Sequence, residues 1–419
     1  MDSRVATLIK ERQAGHSLPQ AFYNGIDVYQ NELAHVFDKI WMFAGHVSQL
    51  RNTGQYFLTE VAGESIIVSR DTDDKVRAFY NVCRHRGSRI CIKKHGKARL
   101  FVCPYHAWSY NLDGSLRTAP LMSGDFDKSQ MGLHACHTKV FEGLIFINLA
   151  KDDPIDFDRA LRKIKPYIAL QKLANAKVID ETIISTKANW KLVVENFWEC
   201  YHCKPSHPEF AKIHGDDWLL ALGAGLSSTS SKSALASYQP KITAFETRAK
   251  SLGHPVGGFS NLGLDAGEFY QAVRSPLAPG CHSETRGGKK VAPLMGELGD
   301  FDGGMTHVNF NPLVTIYLCN DHAVVTSFRP KGPESTDVHL TWLVDASARE
   351  DHDYKTDEVT WMWRLTGLQD KTITENNQLG VNSAHYVPGP YSEMEGQLED
   401  FIRWYFTRLQ EHHNCDETN

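Results

Sequence analysis

The stretch NVCRHRGSRICIKKHGKARLFVCPYHAWSY, residues 81–110, decides how this chain is read. It holds Cys83-x-His85, then seventeen residues, then Cys103-x-x-His106. Two thiols and two imidazoles in matched pairs suit a tetrahedral zinc. They equally suit a [2Fe–2S] cluster with both thiolates on one iron and both imidazoles on the other. Spacing alone does not separate the two. Each half-motif is also cheap, since Cys200-x-His202 and Cys319-x-x-His322 match with 116 residues between them. The setting of the first pair is richer. Gly87 follows its first half, Pro104 lies inside the second, Tyr105 and Trp108 flank the last histidine, and the hairpin-type turn Asp113-Gly114 comes just after. Cys91, within the same stretch, reads as a buried small hydrophobe.

Outward from this stretch, residues 44–150 are short β-rich runs such as ESIIVSR, VRAFYNV and GLIFINLA, an all-β domain. Before it, residues 1–43 form a helical segment. Within that segment 26–41 predicts one helix, capped by Asp27, with Leu33, Val36, Phe37 and Ile40 as its apolar stripe. After 151 the period turns helical, then a strand (VIDETIISTKA) precedes a helix starting near Trp190. Residues 220–300 read as irregular, a loop covering a pocket. Three strands follow, LVTIYLC, HAVVTSFRPKG and DVHLTWLVDA, then helices over 352–379 and 392–411. The fold class is α+β.

The 419 residues are 42% hydrophobic and 23% charged, ordinary for a globular protein. A net charge of -5 gives no basic face for nucleic acid. No apolar run reaches membrane-span length and no secretory signal opens the chain, so the cytoplasm is expected. Nine cysteines without export features argue for metal or buried-thiol roles over a disulfide framework.

A second cluster, ECYHCKPSH at 199–207, sits in NWKLVVENFWECYHCKPSHPEF. On a helix, Glu199 and His202 share a face, with Cys200 and Cys203 rotated about 100° off it. Pro205 disfavours helical geometry at Lys204, which lets His207 fold back toward His202. Two imidazoles plus one distant carboxylate make a facial triad with open positions. The 352–379 helix offers Asp370 on the stripe Val359, Trp363, Thr366, Asp370, Ile373 and Asn377. A carboxylate there needs a metal or, alternatively, an ion pair with Lys or Arg.

CRHRG followed by CPYHAWSYNLDG resembles the Rieske [2Fe–2S] domain of ring-hydroxylating and N-demethylating oxygenases. The resemblance extends from SLPQAFY (17–23) to FIRWYFTRL (401–409), and within the family is nearest the glycine-betaine, proline-betaine and carnitine branch. It implies that Cys83 and Cys103 hold one cluster iron and His85 and His106 the other, with structural zinc left as the minor alternative. In the catalytic domain, 151–419, it implies a curved helix-grip (START-like) antiparallel sheet packed on helices. A mononuclear Fe(II) would be held there by His202, His207 and Asp370. By the same resemblance Glu199 bridges this iron to the Rieske cluster of a neighbouring subunit in a head-to-tail homotrimer, and Asn196 supports the site. Cys200 and Cys203 are then packing thiols.

The implied activity is that of a terminal oxygenase using O2 and electrons from NADH or NADPH through a separate flavin/iron-sulfur reductase. The expected reaction is N-demethylation of a quaternary ammonium or betaine, with release of formaldehyde. The alternatives are hydroxylation or dihydroxylation of an aromatic carboxylic acid and, more remotely, an electron-transfer Rieske protein. Phe197, Trp198, Trp218 and Tyr317 are the candidate substrate cage. Phe197-Trp198 replaces a polar Asn-Arg pair common in that branch, and 211–310 departs from its pattern.

Overall fold

The computed structural model describes residues 3–216, 229–262 and 268–410. Residues 37–155 form one compact unit, and the rest of the described chain forms a second.

The first unit is all-β. Its strands are β1 (Met42–His46), β2 (Gln55–Val61), β3 (Glu64–Arg70), β4 (Val76–Tyr80), β5 (His95–Lys97), β6 (Phe101–Val102), β7 (Ser109–Tyr110), β8 (Leu116–Thr118), β9 (Ala135–Phe141) and β10 (Leu144–Asn148). Seven pair in the order β1-β10-β9-β4-β3-β2-β5, while β6-β7-β8 make a smaller sheet. Burial follows the period of two: in β2, Phe57, Thr59 and Val61 are buried while Glu60 is exposed. The Asp113-Gly114 turn joins β7 to β8. Gly114 has φ 88°, and a Cβ there would meet the Phe79 ring at 2.4 Å. Phe79, Phe101, Trp108, Tyr110 and Leu133 share one core with Cys83 and Cys103.

The second unit holds a seven-stranded antiparallel sheet. Its strands are β11 (Ala176–Thr186), β12 (Gly257–Leu262), β13 (Phe269–Pro276), β14 (Gly304–Asn311), β15 (Val314–Leu318), β16 (Ala323–Gly332) and β17 (Ser335–Asp345), in the order β11-β17-β16-β15-β14-β13-β12. Register shifts at Val178/Asp180, Asn309/Asn311 and Pro330/Gly332 bend it. The helix Thr356–Val381 runs along β11. Arg364 pairs with Asp180 at 2.9 Å, Lys371 Nζ donates to the Ser185 carbonyl at 2.6 Å, and Glu375 accepts the Lys187 N–H at 2.8 Å. Gly367 allows this approach, because a Cβ there would lie 2.7 Å from Ile184 Cδ1. The helix Trp190–Phe197 is capped by Asn189, whose side chain accepts from Lys191 N at 2.9 Å. No described helix is long and apolar enough to cross a membrane.

Three sequence expectations are corrected. Residues 26–41 are not one helix: Ile26–Glu32 is α-helical, Leu33–Phe37 forms a π turn, and Gly25, not Asp27, is the N-cap. Asp27 lies in the first turn and pairs with Arg4 at 2.8 Å. The tract 220–300 is regular over part of its described length, carrying the helix Thr229–Ser251 and strands β12 and β13, while 277–300 is irregular apart from the short turn Arg286–Gly288. An Ala/Ser-rich helix and a Gly-rich edge strand carry little apolar period to read. Lastly, the helix from Trp190 ends at Phe197, so Glu199 and His202 lie on the turn beyond it. Pro205 does not break the run there. It sits inside the single turn Cys203–Ser206, where the absent N–H goes unneeded.

Candidate active site

In the first unit, two loops repeat one backbone pattern. After β4, Cys83 N–H donates to Ser88 O (2.9 Å) and Gly87 N–H to Cys83 O (2.9 Å). Between β6 and β7, Cys103 N–H donates to Trp108 O (2.8 Å) and Ala107 N–H to Cys103 O (3.1 Å). The fourth residue after each cysteine has positive φ, 76° at Gly87 and 57° at Ala107. Both thiols are buried and adjacent. Burial pushes the Cys83 thiol up, and the neighbouring Cys103 adds to this against the Tyr110 hydroxyl 3.3 Å away. The His85 and His106 rings lie 4.6 Å apart, the former exposed and stacked on Trp108 at 4.9 Å. A buried sulfur pair beside an outer imidazole pair is the donor set of a cluster with one all-sulfur iron and one imidazole-bound iron. Cys91 stays in the core, with burial raising its thiol to about 11.

In the second unit, the donor atoms of His202, His207 and Asp370 all lie within 4.8 Å of one another. Asp370 Oδ1 is 2.8 Å from His207 Nε2 and 3.5 Å from His202 Nε2, and the two rings stand at 86° with centroids 5.1 Å apart. Each imidazole has its other nitrogen occupied. His207 Nδ1 donates to Gln369 Oε1 at 2.9 Å, and His202 Nδ1 is bonded to the Glu199 carboxylate. Both tautomers are thereby fixed with Nε2 aimed at a shared centre, the arrangement that metal-binding histidines need. Burial works against charge on His202, but the carboxylates of Asp370 and Glu199 outweigh it and raise the imidazole to about 10. Burial likewise opposes ionisation of Asp370, and hydrogen bonds from His202 and His207 hold it below the usual carboxylate range. A site that draws a positive charge this strongly fits a divalent cation. Two imidazoles and one carboxylate are the donor set of a non-haem iron.

Asn196 Nδ2 lies 3.2 Å from His202 Nε2. Glu199 also accepts the Tyr201 and His202 N–H groups, which holds the turn that presents His202. Cys200 and Cys203 touch through their sulfurs at 2.7 Å, and Cys203 belongs to the core. Along the long helix Val359, Trp363 and Thr366 are buried, and the stripe opens to solvent at Asn377.

A pocket opens on the triad. One wall is aromatic: Phe197, Tyr317 and Trp363, with Tyr317 and Trp363 stacked at 4.2 Å and Phe197 5.9 Å from Tyr317. Trp198 also lines it, while its ring packs on Phe269 at 4.7 Å. Trp218 lies outside the described residues. A polar wall adjoins the aromatic one, formed by Gln271, His307 and Asn309, with the His307 ring stacked on Tyr317 at 4.5 Å. Thr315 Oγ1 donates to Val308 O and so accepts from His307 Nε2 at 3.0 Å, which leaves the His307 ring neutral with Nδ1 as acceptor. Burial, with His214 nearby, lowers this imidazole to about 3. The sequence reading missed Gln369, the polar wall and Trp363 as a pocket aromatic. Trp363 is oriented by its Nε1–H bond to Glu284 Oε2 at 3.1 Å.

An all-β unit with a paired Cys/His loop site, and a bent antiparallel sheet packed with helices whose ends and faces carry a His/His/Asp triad, define a Rieske-type oxygenase. The comparisons agree. Residues 40–139 match the Rieske [2Fe-2S] domain family, and residues 173–411 match the family described as Ring hydroxylating alpha subunit (catalytic domain). The chain belongs to this family of Rieske non-haem iron oxygenases, whose cofactors are one [2Fe–2S] cluster and one non-haem iron. It is 36% identical over 408 residues to the glycine betaine monooxygenase oxygenase subunit of Chromohalobacter salexigens, covering 96% of this chain and 87% of that one. To the carnitine monooxygenase oxygenase subunit of Acinetobacter pittii it is 37% identical over 204 residues, 46% of this chain and 53% of that one. The quaternary ammonium Rieske monooxygenase CntA in complex with L-carnitine shares the fold, with TM-score 0.67 at 21% identity over 94% of this chain and 95% of that one.

Proposed function

We propose that this chain hydroxylates an N-methyl group of a small quaternary ammonium or betaine, which then loses formaldehyde. The observation that carries this reading is the aromatic wall of Phe197, Tyr317 and Trp363 opening directly on the His202/His207/Asp370 triad. Aromatic faces hold a cation that has no hydrogen-bond donors. The adjoining polar wall supplies neutral amides: Gln271 Nε2 donates to Asn309 Oδ1 at 2.8 Å, and Asn309 keeps its own Nδ2 donors for a substrate carboxylate. The glycine betaine and carnitine relatives point the same way.

In this reading His202, His207 and Asp370 hold Fe(II), and Cys83, His85, Cys103 and His106 hold the cluster. The bound iron supplies open coordination positions and one-electron chemistry for O2. Glu199 fixes the tautomer of His202 and, from a half-buried position beside the exposed Tyr201, would bridge to the Rieske domain of a neighbouring subunit in a head-to-tail trimer. A separate reductase would deliver electrons from NADH or NADPH. Asn196 faces the His202 donor nitrogen and helps hold it in place.

The test is a substrate panel with a compatible reductase, scored for formaldehyde and NADH. Glycine betaine, proline betaine or carnitine should release formaldehyde. The apolar Phe197-Trp198 pair also suits a flat ring, so the panel includes benzoate-type acids; phenol or diol formation without formaldehyde would replace the demethylase reading.

A further inference from the structure

We propose that Glu195 is the proton store of this oxygenase and feeds the mononuclear site through the cavity they share. The proposal rests on the reading of His202, His207 and Asp370 as the iron site. Glu195 is on the helix Trp190–Phe197, directly before Asn196. Its carboxyl is buried, 8% exposed, and both oxygens lie 3.0–3.1 Å from the Tyr23 hydroxyl. That hydroxyl accepts the Leu18 N–H, so its own proton goes to Glu195. One cavity of about 370 Å³ is lined by Glu195, Asn196, Glu199 and His202 together with Tyr386 and Tyr391. It is large enough for a chain of waters. Tyr391 Oη is buried on its wall without a hydrogen-bond partner among the described residues, a site that calls for water.

The chemistry needs such a store. Inserting one oxygen into a C–H bond takes R–H, O2, two electrons and two protons to R–OH and water. The substrate carbon loses two electrons, O2 gains four, and the reductase supplies the other two. Both protons must reach a site closed on one side by Phe197, Tyr317 and Trp363, none of which donates a proton readily.

Glu195 is suited to hold one at neutral pH. Burial raises its carboxyl to about 8, against the Tyr23 hydrogen bond and the charges of Lys191 and Arg12, with Glu395 adding to the rise. Tyr386 and Tyr391 also face it, and their hydroxyls are themselves pushed up. Lys191 is committed to Glu32, so it leaves Glu195 without a direct counter-ion. A carboxyl poised near the working pH is the effective range for proton transfer.

The experiment uses the iron-loaded chain with its reductase and an accepted substrate, comparing wild type with Glu195→Gln, Glu195→Asp and Tyr391→Phe. Iron content and the cluster's visible spectrum show that each variant has folded. Wild-type turnover should decline as pH rises through about 8. Glu195→Gln, which can still bond Tyr23, should lose roughly tenfold or more in turnover and lose that limb. Glu195→Asp should restore the limb, and Tyr391→Phe should lower turnover in between. Infrared spectra of the resting protein should show a protonated-carboxyl band that titrates near pH 8 and is missing in Glu195→Gln. A Glu195→Gln enzyme with wild-type turnover and an unchanged pH limb would overturn the proposal, as would absence of the titrating band. A wild-type chain that holds only the cluster iron would instead sink the iron-site reading, and the infrared band would still report on Glu195.

Discussion

At the residue scale, each imidazole of the His202/His207 pair depends on a neighbour that holds the other side of its ring. His207→Ala or Asp370→Ala should therefore lower iron from about three to about two atoms per chain and abolish turnover, while the red-brown cluster spectrum persists. Metal analysis beside a visible spectrum checks this. Glu199→Gln should leave the cluster intact and cost roughly 10–100-fold in turnover, because His202 loses the carboxylate on its Nδ1. Single-turnover assays of pre-reduced enzyme check that outcome. Asp370 was legible in the sequence because an acid on an inward stripe demands a partner. Gln369 was not legible, since an amide one residue off that stripe looks like any helix surface residue until His207 is placed beside it.

At the scale of elements, the long helix brings Asp370 to the histidines only as closely as Gly367 lets it approach β11. Gly367→Val should push against Ile184, destabilise the chain by about 1–3 kcal/mol and weaken iron binding, measured by denaturant unfolding and metal content. Asn189→Ala should cost about 1 kcal/mol through loss of the cap, and somewhat more because Asn189 Nδ2 also donates to Pro333 O at 2.6 Å. The strands β11 and β15 to β17 were largely readable, as their apolar runs are strand-length and bounded by turn residues. The end of the helix at Phe197 was not, because Glu195 to Cys203 contains no breaker. The Glu199 carboxylate, by taking the next N–H groups of the chain, turns it there instead.

At the scale of the whole catalytic unit, distant segments meet at a buried charge pair. Lys191 and Glu32 are both fully buried, and Glu32 also accepts from Trp190 Nε1 at 2.8 Å and Tyr405 Oη at 2.5 Å. Lys191→Met leaves Glu32 uncompensated and should destabilise by about 3–5 kcal/mol, visible as a lowered melting temperature. Glu195 sets a pH dependence of stability. Its folded value of about 8 lies above the ordinary 4.5, so between these the unfolded chain gives up a proton that the folded chain keeps. Its contribution is thus intact in acid and declines as pH rises through that window. The melting temperature of Glu195→Gln relative to wild type should accordingly climb from acid pH to pH 8 and level off beyond it. Such couplings join residues hundreds of positions apart, so no local pattern discloses them.

The two cysteine loops of the first unit each close on themselves through the paired backbone bonds at their cysteine, and the Arg84 N–H ties the first to the far end of the second through the Tyr110 hydroxyl at 3.0 Å. The Cys/His ends therefore behave as two prefabricated brackets, and the exposed bend between them, at Lys93 and Lys94, is a tether pinned to β2 where the Lys94 carbonyl accepts the Leu58 N–H at 2.8 Å. Lengthening that tether by a few residues should leave the cluster seated, whereas a single deletion inside either bracket should eject it.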